Sequence, residues 1–134
     1  RYTDDAIIVD DHLLAIGSGI ATCIQWRTGE TVSAKRVTGQ CRSTYADGDL
    51  CTHAPGGVIG RVAVNGSEIG THSEIELPGH QRSLGPTTPI VANRCLFVRD
   101  DDQLFVLDLK KNAKRQPGES TVHLPTVESV ASDA

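Results

Sequence analysis

The chain has 134 residues, of which 38% are hydrophobic, 22% charged and only 4% aromatic, with a formal net charge of −4. That balance suits one globular domain and excludes a chain too polar to collapse. A negative net charge with no basic cluster beyond "KKNAKR" at 110–115 disfavours nucleic-acid binding, and no apolar stretch approaches the roughly 18 residues that span a bilayer as a helix.

Few aromatics leave the core to Val, Ile, Leu and Ala, which in short runs favour strands. The chain contains no methionine and begins at Arg1, so it is expected to be a processed chain or a piece of a longer one, any secretion signal having been removed.

In chain order, three segments share one grammar: residues 6–37, 43–77 and 87–112. Each reads as a strand, a tight polar turn, a second strand, another turn and a third strand. The first turns are Asp10-Asp11-His12, Asp47-Gly48 and Asn93-Arg94; the second are Gly17-Ser18-Gly19, Pro55-Gly56-Gly57 and Asp100-Asp101-Asp102. Asp, Asn and Gly tolerate the backbone geometry such hairpins require. A third turn, at Arg27-Thr28-Gly29-Glu30 and Asn65-Gly66-Ser67, makes room for a fourth strand. Similarity at a period near 40 residues, in units of four antiparallel strands, predicts an all-β chain built as about three β-propeller blades.

The strands support that reading. In "QLFVLDL", Leu104 and Val106 share one face while Phe105, Leu107 and Leu109 share the other, because side chains alternate along a strand. "IATCIQW" sets Ile20, Ile24 and Trp26 opposite Ala21 and Cys23. Strands apolar on both faces require a covering sheet on each side. Residues 78–88 read as a Pro- and Gly-rich connection, and 113–134 as an irregular tail that adds one strand at most, through "STVHL".

The segments "YTDDAIIVDDHLLAIGSGIATCIQWRTGETV", "TYADGDLCTH" and "TTPIVANRCLFVRDDDQLFVLDL" resemble the bacterial PQQ-like repeat family, the quinoprotein-type β-propellers, over residues 2–112. The resemblance implies a propeller exported to the bacterial envelope, periplasmic or extracellular. It also implies one of two roles: a dehydrogenase carrying pyrroloquinoline quinone and calcium, or a scaffold with the fold and no cofactor. The enzymes often stack an adjacent pair of cysteines on the quinone, whereas Cys23, Cys41, Cys51 and Cys95 are all apart. The family usually places a blade-docking Trp just after the T-G-x corner. Ser33 stands there instead, and Trp26 is expected to cover part of the gap.

The chemistry-bearing residues are few. Asp100, Asp101 and Asp102 are hard oxygen ligands that suit calcium, but the full D-x-[DN]-x-[DN]-G loop is missing, and three acids between strands equally make a solvated turn. His12, His53, His72, His80 and His123 show no paired spacing and read as surface or packing residues. Cys23, Cys51 and Cys95 read as small hydrophobes within strands; a Cys41–Cys51 disulfide closing a hairpin is the alternative. No nucleophile, base and orienting group assemble by spacing, so no catalytic or cofactor-binding residue is assigned.

The expectation is therefore a non-enzymatic propeller segment acting as a scaffold or protein-interaction module. Its partner would be another protein, the remainder of a parent chain, or further copies completing the ring. A fragment of a PQQ-dependent dehydrogenase and a structural subunit of a surface assembly are the alternatives.

Overall fold

The computed structural model describes residues 6–37, 39–79 and 85–109. The "STVHL" segment, His80 and His123 lie outside them.

Eleven strands form three antiparallel sheets, with no helix among the described residues. The first sheet runs β1 (Ala6–Val9), β2 (His12–Gly17), β3 (Ile20–Gln25) and β4 (Glu30–Arg36) in sequence order. The second runs β5 (Arg42–Ala46), β6 (Asp49–Ala54), β7 (Val58–Asn65) and β8 (Glu68–Glu76) in the same way. The third has three strands, β9 (Ile90–Ala92), β10 (Cys95–Asp100) and β11 (Gln103–Asp108). The chain is all-β, and among the described residues the sheets close into neither a barrel nor a ring.

The tight turns are where the sequence predicts them, for the predicted reason. Asp47 and Gly48 take φ of 51° and 84°, Ser18 and Gly19 take 53° and 78°, and Asn93 and Arg94 take 49° and 62°. Two successive residues with positive φ give the turn whose twist matches that of the flanking strands.

The core has two layers. Leu14, Ile16, Ala21 and Cys23 of the first sheet pack against Leu50, Ala54, Val62 and Val64 of the second. Cys51 and Ile59, on the second sheet's other face, pack against Leu96, Val98, Phe105 and Leu107 of the third. The middle sheet is thus covered on both sides, and every residue of β6 from Leu50 to Ala54 is buried.

The same layering separates two of the cysteines. Cys41 lies in the layer toward the first sheet and Cys51 in the layer toward the third, on opposite faces of the middle sheet, so the two side chains do not meet. The alternative disulfide is not formed. Cys23 and Cys51 are buried within strands, while Cys95 is only partly covered. Trp26 does not enter the core: it is 49% exposed, with the Arg27 guanidinium 4.9 Å from its ring centroid. At the position expected to hold a docking Trp, Ser33 Oγ instead donates to Ser67 O at 2.5 Å, and Lys35 Nζ donates to Gly70 O at 2.5 Å. Polar contacts to backbone carbonyls tie these two sheets at that edge.

Candidate functional site: bare sheet faces and a charged cleft

Register shows what each sheet offers its neighbours. On the face turned toward the preceding sheet, the second sheet presents the cross-strand row Tyr45–Leu50–Val62, and the third presents Val91–Leu96–Leu107. Both rows sit in core layers. The corresponding row of the first sheet is Ile8–Leu13–Ile24, paired by the same register. No sheet covers it among the described residues: Ile8 is 66% exposed, and Leu13 and Ile24 are half-buried.

The opposite face follows the same order. Ile7–Leu14–Cys23 of the first sheet and Thr44–Cys51–Arg61 of the middle sheet are turned toward the sheet that follows each. Their counterpart in the third sheet is Ile90–Phe97–Val106. It too is uncovered, with Ile90 63% exposed and Leu104, on the same face, 55%. Among the described residues, the first and third sheets therefore each leave one apolar row uncovered, the third sheet's row flanked on the same face by Arg99 and Asp108.

The second layer is less apolar than the first. Where Leu14 and Cys23 meet the middle sheet in the first layer, Cys51 and Arg61 stand in the second, beside Asp49. Together with Asp47 and Arg94 they line a cleft of about 260 Å³ between the second and third sheets. The Arg61 guanidinium donates to Asp49 Oδ2, and this bond keeps the arginine firmly protonated. Burial, reinforced by the Asp49 charge and opposed by Arg61, pushes the Cys51 thiol up to about 11. A thiol so displaced is protonated at neutral pH and is a poor nucleophile.

Deeper in the same layer, His53 is fully buried. Its Nδ1 accepts from the Thr87 backbone N–H at 3.1 Å. Nδ1 also lies 3.2 Å from Thr87 O, and on the other side of the ring Nε2 faces Asp100 Oδ1 at 3.5 Å. Thr87 is itself anchored, its hydroxyl donating to Arg99 O at 2.5 Å. The contact therefore links β6, the 85–89 segment and β10. His53 is not among the residues lining the cleft, and its chemistry is that of a buried polar clamp.

The acidic triplet does not converge. Asp100 points inward to His53 and is 3% exposed, whereas Asp101 and Asp102 face solvent in the turn. Asp101 takes φ of 56°, and its carbonyl accepts from Arg99 Nε at 3.0 Å. Among the described residues no three His, Cys, Asp or Glu side chains gather where a metal ion would sit. Of the scattered histidines, His12 is half-buried on a strand, and His72 lies 3.1 Å from Glu74.

Sequence reasoning passed over both polar features, the His53–Asp100 contact and the Arg61–Asp49 pair. The signal that could have found them is positional. Aligned on the first turns, His53 occupies the place of Ile16, and with the one extra residue of the Pro55-Gly56-Gly57 turn allowed for, Arg61 occupies that of Cys23, so polar residues stand where the first sheet has core residues.

No protein-family model matches this sequence, and neither does any curated protein. The likeness to PQQ-like repeats rests on the quoted residues alone.

Proposed function

We propose that this chain is a segment of a β-propeller that works as a non-enzymatic scaffold, docking protein partners through the exposed faces of its first and last sheets. The observation that carries this reading is the contrast between the middle and outer sheets. The middle one is buried on both faces, while the outer ones leave Ile8–Leu13–Ile24 and Ile90–Phe97–Val106 bare. Apolar rows of three residues across neighbouring strands are interaction surfaces or aggregation hazards. The likeness of the segments to quinoprotein-type blades supports the propeller and, with it, export to a bacterial envelope.

The dehydrogenase alternative lacks a comparable observation. Cys51 is held protonated, His53 is closed off from solvent, and the described residues bring no nucleophile and base together. Added quinone and calcium are expected to give no dye reduction.

Sedimentation of the wild-type chain beside an Ile8→Lys, Ile90→Lys double variant tests the docking reading. Wild type is expected to associate, or to bind a hydrophobic dye where it remains alone, and the double variant to do neither. Identical behaviour of the two proteins contradicts the reading.

A further inference from the structure

We infer that Thr52 and His72 are joined by one internal water molecule, held on the face of the middle sheet that the first sheet covers, beside Gly60. The site lies in the interior and does not depend on the outer sheet faces.

Register brings the residues together. Thr52 of β6, Gly60 of β7 and Glu74 of β8 form one cross-strand row, and His72, paired with Val62, belongs to the adjacent row on the same face. That face is turned toward the first sheet: along β6, Thr52 alternates in step with Leu50 and Ala54, which sit in the first core layer together with Val62. Aligned on the first turns, the corresponding row of the third sheet is Val98–Phe105, apolar and buried. The middle sheet sets polar groups where its neighbour has only hydrocarbon.

Two of those groups are orphans. Thr52 is fully buried, and neither its hydroxyl nor His72 Nε2, also cut off from solvent, has a hydrogen-bond partner among the described residues. Glu74 Oε1 lies 3.1 Å from that nitrogen but is not aligned to bond with it. Buried hydroxyls and imidazoles are as a rule hydrogen-bonded, to protein or to ordered water.

The two orphans face a common spot. A Cβ built on Gly60 would lie 2.3 Å from Thr52 Oγ1 and 3.5 Å from His72 Nε2, so the two atoms are no more than about 5.8 Å apart. They make no direct bond. One water, with hydrogen bonds of about 2.7–3.2 Å, spans two atoms as much as roughly 6 Å apart. Internal waters typically make about three hydrogen bonds, and Glu74 Oε1, beside Nε2, is the third group in reach. The water then ties β6 to β8, strands separated by β7 that share no backbone ladder. A metal ion suits the spot less well, because one imidazole and one carboxylate are fewer strong ligands than such an ion takes, and among the described residues no three His, Cys, Asp or Glu side chains gather.

Thr52→Val keeps the side chain's shape and deletes only the hydroxyl, so it separates a bridged hydroxyl from an idle one. Removing an idle buried hydroxyl raises the urea midpoint; removing a bridged one lowers it, because the water and His72 Nε2 lose a partner. The midpoint is expected to fall. In a His72→Phe background, where the bridge is already gone, the same change is expected to leave the midpoint level or raise it. A rise or no change in the wild-type background, or equal falls in both backgrounds, overturns the inference. Crystals of the wild-type chain are expected to show one solvent peak within about 3.2 Å of both Thr52 Oγ1 and His72 Nε2. A direct bond between the two side chains, a metal ion at the spot, or no peak there overturns it as well, whatever the variants do.

Discussion

His53 takes the place that Ile16 holds in the first sheet, and it trades apolar packing for a backbone donor at Thr87 and the Asp100 carboxyl. His53→Ala would strip the Thr87 N–H of its acceptor and leave the buried Asp100 without its neighbour. The expected loss is roughly 1–3 kcal/mol in urea unfolding; a change under about 0.5 kcal/mol, within the usual range for a surface substitution, would contradict the clamp. Gly60 matters through proximity: a Cβ there would lie 2.3 Å from Thr52 Oγ1 on a fully buried side chain. Gly60→Ala is expected to cost about 1–3 kcal/mol. Adding Thr52→Ala should restore most of it, since that hydroxyl has no hydrogen-bond partner among the described residues. Cys51 supplies a pH dependence. Its folded pKa of about 11 lies above the ordinary 9.0, so its contribution is complete below pH 9 and is lost as the pH rises through 11. Wild type should therefore lose more stability over that window than Cys51→Ala, and parallel alkaline denaturation curves would refute the assignment. Cys51 was legible as a small hydrophobe within a strand, whereas the roles of His53 and Gly60 were not, because a lone His or Gly in a strand acquires its role only from the sheet laid against it.

At the scale of elements the sequence was far more legible. Turns depend on local backbone chemistry, and Asp47-Gly48, Ser18-Gly19 and Asn93-Arg94 adopt the positive φ their residue types favour. Alternation alone separates the face of Phe105 and Leu107 from that of Leu104, but it did not tell which is covered: both faces are apolar and were expected to be buried, yet Leu104 is exposed. Gly48, in the hairpin joining β5 to β6, holds a left-handed backbone at φ 84°. Gly48→Ala is expected to destabilise the protein by about 1–2 kcal/mol, as left-handed backbone does for a residue with a Cβ. No loss of stability would show that the turn relaxes without disturbing the register. The corner after β3 was less legible. The expected aromatic dock is replaced by the bonds of Ser33 and Lys35 to carbonyls of the second sheet, and a hydroxyl or ammonium seeking a backbone oxygen thirty-odd residues away leaves no mark on local sequence.

Across the whole molecule, strands apolar on both sides implied stacked sheets, and the two-layered core around β6 has that form. The acidic triplet was misleading because spacing cannot tell that Asp100 turns inward while its neighbours turn out. The direction of stacking was hidden for a related reason: it emerges only when cross-strand partners are known, which sets Ile8 in a row with Leu13 and Ile24. The central claim is that the outer sheets lack the cover the middle sheet has, and that docking supplies it. Backbone amide exchange, followed strand by strand, tests it most directly. In the Ile8→Lys, Ile90→Lys double variant, β6 should exchange more slowly than β2 and β10; in the associated wild type, β2 and β10 should gain protection while β6 changes little. Equal exchange of β2, β6 and β10 in the double variant, or association that protects neither β2 nor β10, would contradict it.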